Sequence, residues 1–270
     1  MNTPPATAKD LVLISWDGQE PPARHVQLDA PAQFELLLFD YGGRAERPII
    51  VSSGWPEHWS WLSEATACKG EILSMLVARL ANRLQQCHYI GLIDDDIVIS
   101  ISQINRALQR GRDLDSVCFS PTLAPGKHAW VPHMVSQGQA AWRRVPWVEM
   151  KMSFVRRDLF MATAPFYPLS ISSYGIDYFV HPYFARVLNL PGDFHVFDDI
   201  AVVNCREDRS GSRTFANGMT AIEEGRRLGR ICLQHLLRER RDLLSDHRVQ
   251  QVLHLPPRNP STPAATGSLA

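Results

Sequence analysis

Apolar residues in the first half of the chain come in short runs, each stopped by turn residues. LVLISW (11–16) runs into Asp17-Gly18, FELLLFDY (34–41) into Gly42-Gly43, and PIIVSS (48–53) into Gly54. Runs of this length, with little polar alternation, predict strands buried in a covered sheet. From Lys69 to Cys87 the spacing changes. Ile72, Leu73, Leu76, Leu80 and Leu84 recur at helical intervals and predict a helix. YIGLI (89–93) predicts another buried strand and leads directly into Asp94-Asp95-Asp96. ISQINRALQRG (101–111) predicts a helix ending at Gly111, and SVCFSP (116–121) a further strand. Strand and helix alternate, which predicts an α/β fold with a largely parallel sheet. In such sheets ligands bind beyond the carboxyl ends of the strands, and the aspartate run lies at one of those ends.

The pattern then loosens. Residues 122–170 carry Trp130, Trp142, Trp147 and several prolines. Within the second half, VEMKMSFVRRDLF (148–160) predicts a strand leading into a short helix. SSYGIDYFVHPYFARVL (172–188) predicts a loop entering a helix, HVFDDIAVVNCR (195–206) a strand, and the Arg- and Leu-rich stretch 219–245 a helix. Residues 1–8 have the composition of a flexible N-terminus and PPRNPSTPAATGSLA (256–270) that of a disordered tail. Between them no long Gly/Ser/Pro stretch divides the chain, which predicts a single domain over residues 9–250.

Composition narrows the function. Lysine plus arginine and aspartate plus glutamate both number 28, so the net charge is zero and general nucleic-acid binding, which needs a basic surplus, is excluded. Five scattered cysteines without a CxxC pair predict neither a disulfide framework nor a zinc site, and fit a reducing compartment. The N-terminus lacks the charged-then-apolar pattern of a signal peptide, and no apolar run is long enough to span a bilayer. These features predict a cytoplasmic protein. The stretch Met219 to Arg248 has seven arginines against five acids, which allows at most weak contact with the inner face of a membrane.

Three adjacent carboxylates after an apolar strand repel one another, and each raises the others' pKa. A divalent cation removes that penalty, and hard oxygen ligands suit Mg²⁺ or Mn²⁺ held jointly with substrate phosphates. Strand alternation puts Asp94 and Asp96 on one side and Asp95 on the other. The competing structural readings are a solvated acidic turn and an N-cap for the 101–111 helix.

YIGLIDDDIVIS (89–100) resembles the strand and DxD motif of the GT-A class of glycosyltransferases. VEMKMSFVRRDLF, SYGID and VFDDIAVVNCR follow it in the order seen in a little-characterised family of GT-A-like proteins, the DUF707-like proteins. The similarity covers about residues 10 to 206. The resemblance implies a GT-A-like, Rossmann-like nucleotide-binding sheet with flanking helices. It implies a metal-dependent glycosyltransferase of the hexosyltransferase type. Such an enzyme moves a sugar from a nucleotide-sugar donor to a hydroxyl of a saccharide or lipid-linked acceptor. Asp96 then resembles the metal-binding aspartate of the DxD motif and Asp94 the carboxylate facing the nucleotide ribose or the metal, with Asp95 beside them at the substrate. Asp177 resembles an acidic residue on the acceptor side, suited to a general base. Lys69 is placed to contact the nucleotide or diphosphate, and Trp16 and Asp17 to contact base and ribose. As ordinary structure, Lys69 is a solvated lysine at a helix start and Trp16 is core. Where the class carries a late histidine as a metal ligand this chain has Asn204, a weaker ligand, so Asp198 or Asp199 is a candidate for the missing one. His195 reads as a surface histidine.

Two other functions fit parts of the pattern. A HAD-type phosphatase would use Asp94 as nucleophile and Asp96 as its partner, Ser120 in its second motif, Lys127 or Lys151 in its third, and the acids of VFDDIA in its fourth. Its nucleophile strand opens the core, however, whereas several strands precede Asp94 here. A non-catalytic nucleotide-sugar-binding protein on a GT-A scaffold would explain Asn204.

Overall fold

The computed structural model describes residues 9–18, 26–44, 60–126, 128–129, 131–138, 140–206 and 213–255. PIIVSS, Lys127, Trp130 and both chain ends lie outside these residues. The core is one sheet. β1 (Leu11–Trp16), β3 (Glu35–Asp40), β4 (Ser60–Ser63) and β5 (Tyr89–Ile93) run parallel in the order β4-β3-β1-β5. Next come β9 (Met152–Arg156), β7 (Cys118–Leu123), β10 (Phe194–Asn204) and β6 (Ile97–Ser100), with β2 (Val26–Gln27) at the edge and β8 (Arg143–Arg144) beside β10.

Both faces of this sheet are covered, which is why the strands read as unbroken apolar runs. Alternate residues of β1 enter different cores. Leu11 and Leu13 pack with Ile72, Leu73 and Leu76 of α1 (Lys69–Leu84), whereas Val12 and Ile14 pack with Ile104 and Leu108 of α2 (Ile101–Asp113). The first core also takes α3 (Arg157–Thr163), α4 (His181–Val187), α5 (Ala221–Glu239) and α6 (His247–Val252).

The sheet is mixed rather than largely parallel. β9 enters between β5 and β7 and runs antiparallel to both, and β6 and β8 run antiparallel to β10. A parallel neighbour needs a crossover to the far end of the sheet, usually a helix. Between β7 and β9 the described chain has only the short turn Pro132–Met134 and β8, so it re-enters from the end at which it left.

Two local readings also change. The aspartates do not cap α2. Ser100 does, its hydroxyl accepting from the Gln103 N–H while the Gln103 side chain accepts from the Ser100 N–H. Gly111 does not end that helix, which continues to Asp113. A Cβ at Gly111 would lie 2.2 Å from the Phe119 ring, so glycine is required for close packing of α2 on β7.

Candidate functional site

β5 is paired on both sides, with β1 and with β9, and at its carboxyl end the chain turns sharply into β6. Asp94, Asp95 and Asp96 form that turn, closed by the Ile97 N–H donating to the Asp94 carbonyl at 3.1 Å. The Asp94 N–H donates to the Lys151 carbonyl at 2.8 Å, and the Cys205 N–H to the Asp96 carbonyl at 2.7 Å. The three carboxylates are thus fixed by backbone on both flanks.

Asp94 and Asp96 face a cavity of about 640 Å³. Its walls are Cys68 and Lys69 at the head of α1, Asp94 and Asp96 from the turn, and Glu149, Met150 and Lys151 before β9. Ser172, Ser173, Tyr174 and Asp177 close the opposite side, and His128, Cys205 and Arg206 complete it. Asp95 points elsewhere. Its carboxylate accepts from the Tyr41 hydroxyl at 2.8 Å and pairs with Arg206.

Charge in the cavity is only partly balanced. Lys69 Nζ lies 2.5 Å from Asp94 Oδ1 and donates to the Met150 carbonyl, so this lysine is not a solvated helix-start residue. Burial pushes the Asp94 pKa up to about 6; the Lys69 ammonium works against this and the neighbouring Asp96 adds to it. Burial also raises Asp95, despite its hydrogen bond from Tyr41 and its pairing with Arg206. One oxygen of Asp96, Oδ1, is buried without a hydrogen-bond partner, as is His128 Nδ1.

Asp177 lies in a single π-helical turn (Ile176–Val180) introduced by Gly175 in the left-handed region at φ 90°. A Cβ at Gly175 would stand 2.8 Å from the Gly225 Cα of α5, and one at Gly225 would meet the Tyr178 hydroxyl at 2.2 Å. The glycine of SYGID therefore serves both the turn and the close docking of that turn on α5. Burial pushes the Asp177 pKa up to about 6, against hydrogen bonds from backbone N–H groups.

Other sequence-selected residues do not reach the cavity. The Asn204 carboxamide donates to the His128 carbonyl at 3.0 Å and accepts from the Arg206 N–H at 3.1 Å, clipping together two segments of the wall. Asp198 is buried against Arg143, and Asp199 pairs with Arg106 and Arg110, so neither replaces a missing metal ligand. His195 is buried, not on the surface, with Nδ1 2.8 Å from the Ser116 hydroxyl and Trp142 edge-on to its ring. Trp16 is 2% exposed and belongs to the core beneath α2. Asp17 lies near enough to Tyr41 and Asp95 for its charge to raise both groups. Of the phosphatase set, Asp94, Asp96 and Lys151 line the cavity, while buried Ser120 donates to the Pro121 carbonyl and Asp198 and Asp199 are held by arginines.

Glu224 of α5, one of the five acids counted above, is fully buried. Its carboxylate accepts from the Ile171 and Ser172 N–H groups (both 2.9 Å), the Ser170 and Ser172 hydroxyls, and the Asn217 side chain (2.6 Å). Those hydrogen bonds hold it ionised, with its pKa lowered despite burial. The loop it holds reaches the head of α1. The Gly70 N–H donates to the Ile171 carbonyl at 2.9 Å, and a Cβ at Gly70 would collide with the Ser170 carbonyl at 1.7 Å. A signal for Glu224 was present: it falls on the buried i, i+4 row of Leu228, Cys232 and Leu236, where a lone carboxylate needs partners.

Among the described residues no three His, Cys, Asp or Glu side chains converge on one metal position. The unpartnered oxygen of Asp96 and the nearby Asp94 suit a cation that draws its other ligands from water and phosphate, as Mg²⁺ and Mn²⁺ do.

No protein-family model matches the chain, and no curated protein matches it in sequence. Solved structures match its fold. Residues 1–349 of TarS from S. aureus, in complex with UDP-GlcNAc, align at a TM-score of 0.57 and 13% identity, covering 91% of this chain and 71% of that one. A mannosyltransferase of Pyrobaculum calidifontis, PcManGT, in complex with GDP-Man and Mn²⁺, aligns at 0.51 and 14% identity, covering 92% and 68%. The longer TarS structure aligns at 0.54, and the chain spans 43% of its length. The mixed sheet with flanking helices described above is the GT-A glycosyltransferase fold.

Proposed function

We propose that the chain is a metal-dependent glycosyltransferase that moves a sugar from a nucleotide-sugar donor to a hydroxyl of a saccharide or lipid-linked acceptor. The observation that carries this is the meeting of Asp94, Asp96 and Asp177 in one cavity at the carboxyl end of β5, on the GT-A fold. Asp96, with Asp94, holds Mg²⁺ or Mn²⁺. When bound, the cation offsets the charge that builds on the leaving nucleoside diphosphate. Asp177 takes the acceptor proton, a task suited to a carboxylate whose pKa burial has brought toward neutrality. Asn204 acts through the loops it clips rather than as a ligand. Among the described residues no helix is long and apolar enough to cross a membrane. Helix α5 exposes Ile222 and Leu237 beside Arg226 and Arg238, which suits weak, salt-sensitive surface contact at most.

Asp96→Asn tests the reading. It is expected to abolish Mn²⁺-dependent binding of UDP and GDP, measured by calorimetry, while leaving the melting temperature within about 2 °C, since Oδ1 makes no hydrogen bond to lose. Undiminished nucleotide–Mn²⁺ affinity in that variant overturns the assignment.

A further inference from the structure

Three lysine or arginine side chains line the cavity, and two are already paired. Lys69 is held by Asp94, and Arg206 by Asp95. Lys151 differs: its ammonium nitrogen is buried and has no hydrogen-bond partner. Its position is fixed, because its carbonyl accepts from the Asp94 N–H and the next residue, Met152, pairs in register with Ile93. An ammonium carries three donors, and leaving all of them unmet away from water is costly unless an anion arrives. Asp96, which lines the same cavity, carries the complementary orphan: its Oδ1 is a buried acceptor without a donor. The two do not satisfy each other. A ligand that presents a cation to Asp96 and an anionic oxygen to Lys151 satisfies both.

We infer that Lys151 binds a phosphate group of the ligand, next to a cation on Asp96. This rests on the glycosyltransferase reading and deepens it. The phosphate belongs either to the donor diphosphate or to a phosphate-bearing acceptor, and the two sources separate experimentally. The probes are Mn²⁺ with inorganic pyrophosphate for the first and glycerol phosphate for the second, titrated into wild type, Lys151→Met and Lys151→Arg.

For the donor source, Lys151→Met weakens pyrophosphate binding about tenfold or more, the worth of one charge-assisted hydrogen bond, and Lys151→Arg recovers part of it. For the acceptor source, the same pattern appears with glycerol phosphate alone. In both cases the melting temperature of ligand-free Lys151→Met equals or exceeds that of wild type, because a buried unpaired charge is gone; a lysine serving only to support the wall would instead lower it when removed. Unchanged affinity for both probes in Lys151→Met overturns the inference and leaves the glycosyltransferase reading standing. Wild type that binds neither UDP nor GDP with Mn²⁺ fails that reading itself.

Discussion

The two sides of the cavity are built by different means. The Asp94–Asp96 side stands on β5, whose backbone is paired in register with β1 and with β9, so the turn inherits its position from ladders within the sheet. The Ser170–Asp177 side has no strand beneath it. Its shape comes from a carboxylate 52 positions away along the chain, Glu224, and from the contact between Gly175 and Gly225. Ser173 there holds a positive φ of 68°, an uncommon state for a non-glycine residue and one that the surrounding hydrogen bonds must sustain. One side is positioned by strand ladders and the other by a buried carboxylate and a glycine–glycine contact. On the proposed mechanism the first holds the cation and the second the base, so the two can be broken separately.

The largest expected effect divides those roles. Asp177→Asn lowers transfer about 10²–10⁴-fold, the usual range for a positioned general base, and leaves Mn²⁺–nucleotide affinity within about twofold. The base works when deprotonated, and burial holds its proton until about pH 6, so wild-type turnover at saturating donor rises as pH increases through about 6 and then levels. The asparagine variant lacks this rise. Loss of nucleotide affinity in Asp177→Asn would show that the two sides are not separable.

This division explains what the sequence made legible. β1 and β5 were read to the residue because apolar runs buried on both faces leave little ambiguity, and the aspartate turn followed from β5. Strand alternation does not reach Asp95, because β5 ends at Ile93 and the three aspartates form a turn in which Tyr41 and Arg206 hold the Asp95 side chain. The antiparallel course of β9 was not, because direction depends on where an irregular segment returns rather than on the composition of the strand. Lys151 enters the sequence reading only as a candidate third-motif lysine of a phosphatase, and nothing local shows that its ammonium ends unpaired. Asn204 is a ligand candidate only through its place in the resemblance, where the class carries a histidine, yet its partners are the His128 carbonyl and the Arg206 N–H. Glu224 was counted by charge when its helical phase was the informative property.

Glu224→Ala tests the remote support with an effect of intermediate size. It strands the Ile171 and Ser172 N–H groups inside the protein while the serine hydroxyls can turn to the carbonyls nearby. Two unmet buried donors cost about 3 kcal/mol together, or roughly 6–12 °C in melting temperature for a domain of this size. Glu224→Gln keeps one acceptor oxygen and falls between. Because the loop also meets Gly70, catalytic turnover is expected to fall more than Mn²⁺–nucleotide affinity. A melting temperature within about 2 °C of wild type in Glu224→Ala would show that the loop holds its own shape.

The smallest effect is a pH dependence of stability on the same side. His181 begins α4 directly after the Asp177 turn, is 1% exposed, and has neither ring nitrogen hydrogen-bonded. Burial alone depresses its pKa from 6.5 to about 3. The folded protein thus keeps the ring neutral where the unfolded chain protonates it. Its contribution to stability is fully present above pH 6.5 and is lost as pH falls toward about 3. One such group changes the unfolding free energy by at most about 1.4 kcal/mol per pH unit. His181→Phe keeps an aromatic ring in the space beside Tyr167 and removes the proton site. Urea unfolding of wild type and His181→Phe between about pH 6 and pH 4 is expected to diverge by close to 1 kcal/mol per unit, the variant being the less sensitive. At pH 8 the histidine is neutral in both states, so any difference there reports packing alone. Parallel stability curves across that range would mean that His181 reaches water or a partner when protonated, and that the base of this side is looser than its burial indicates.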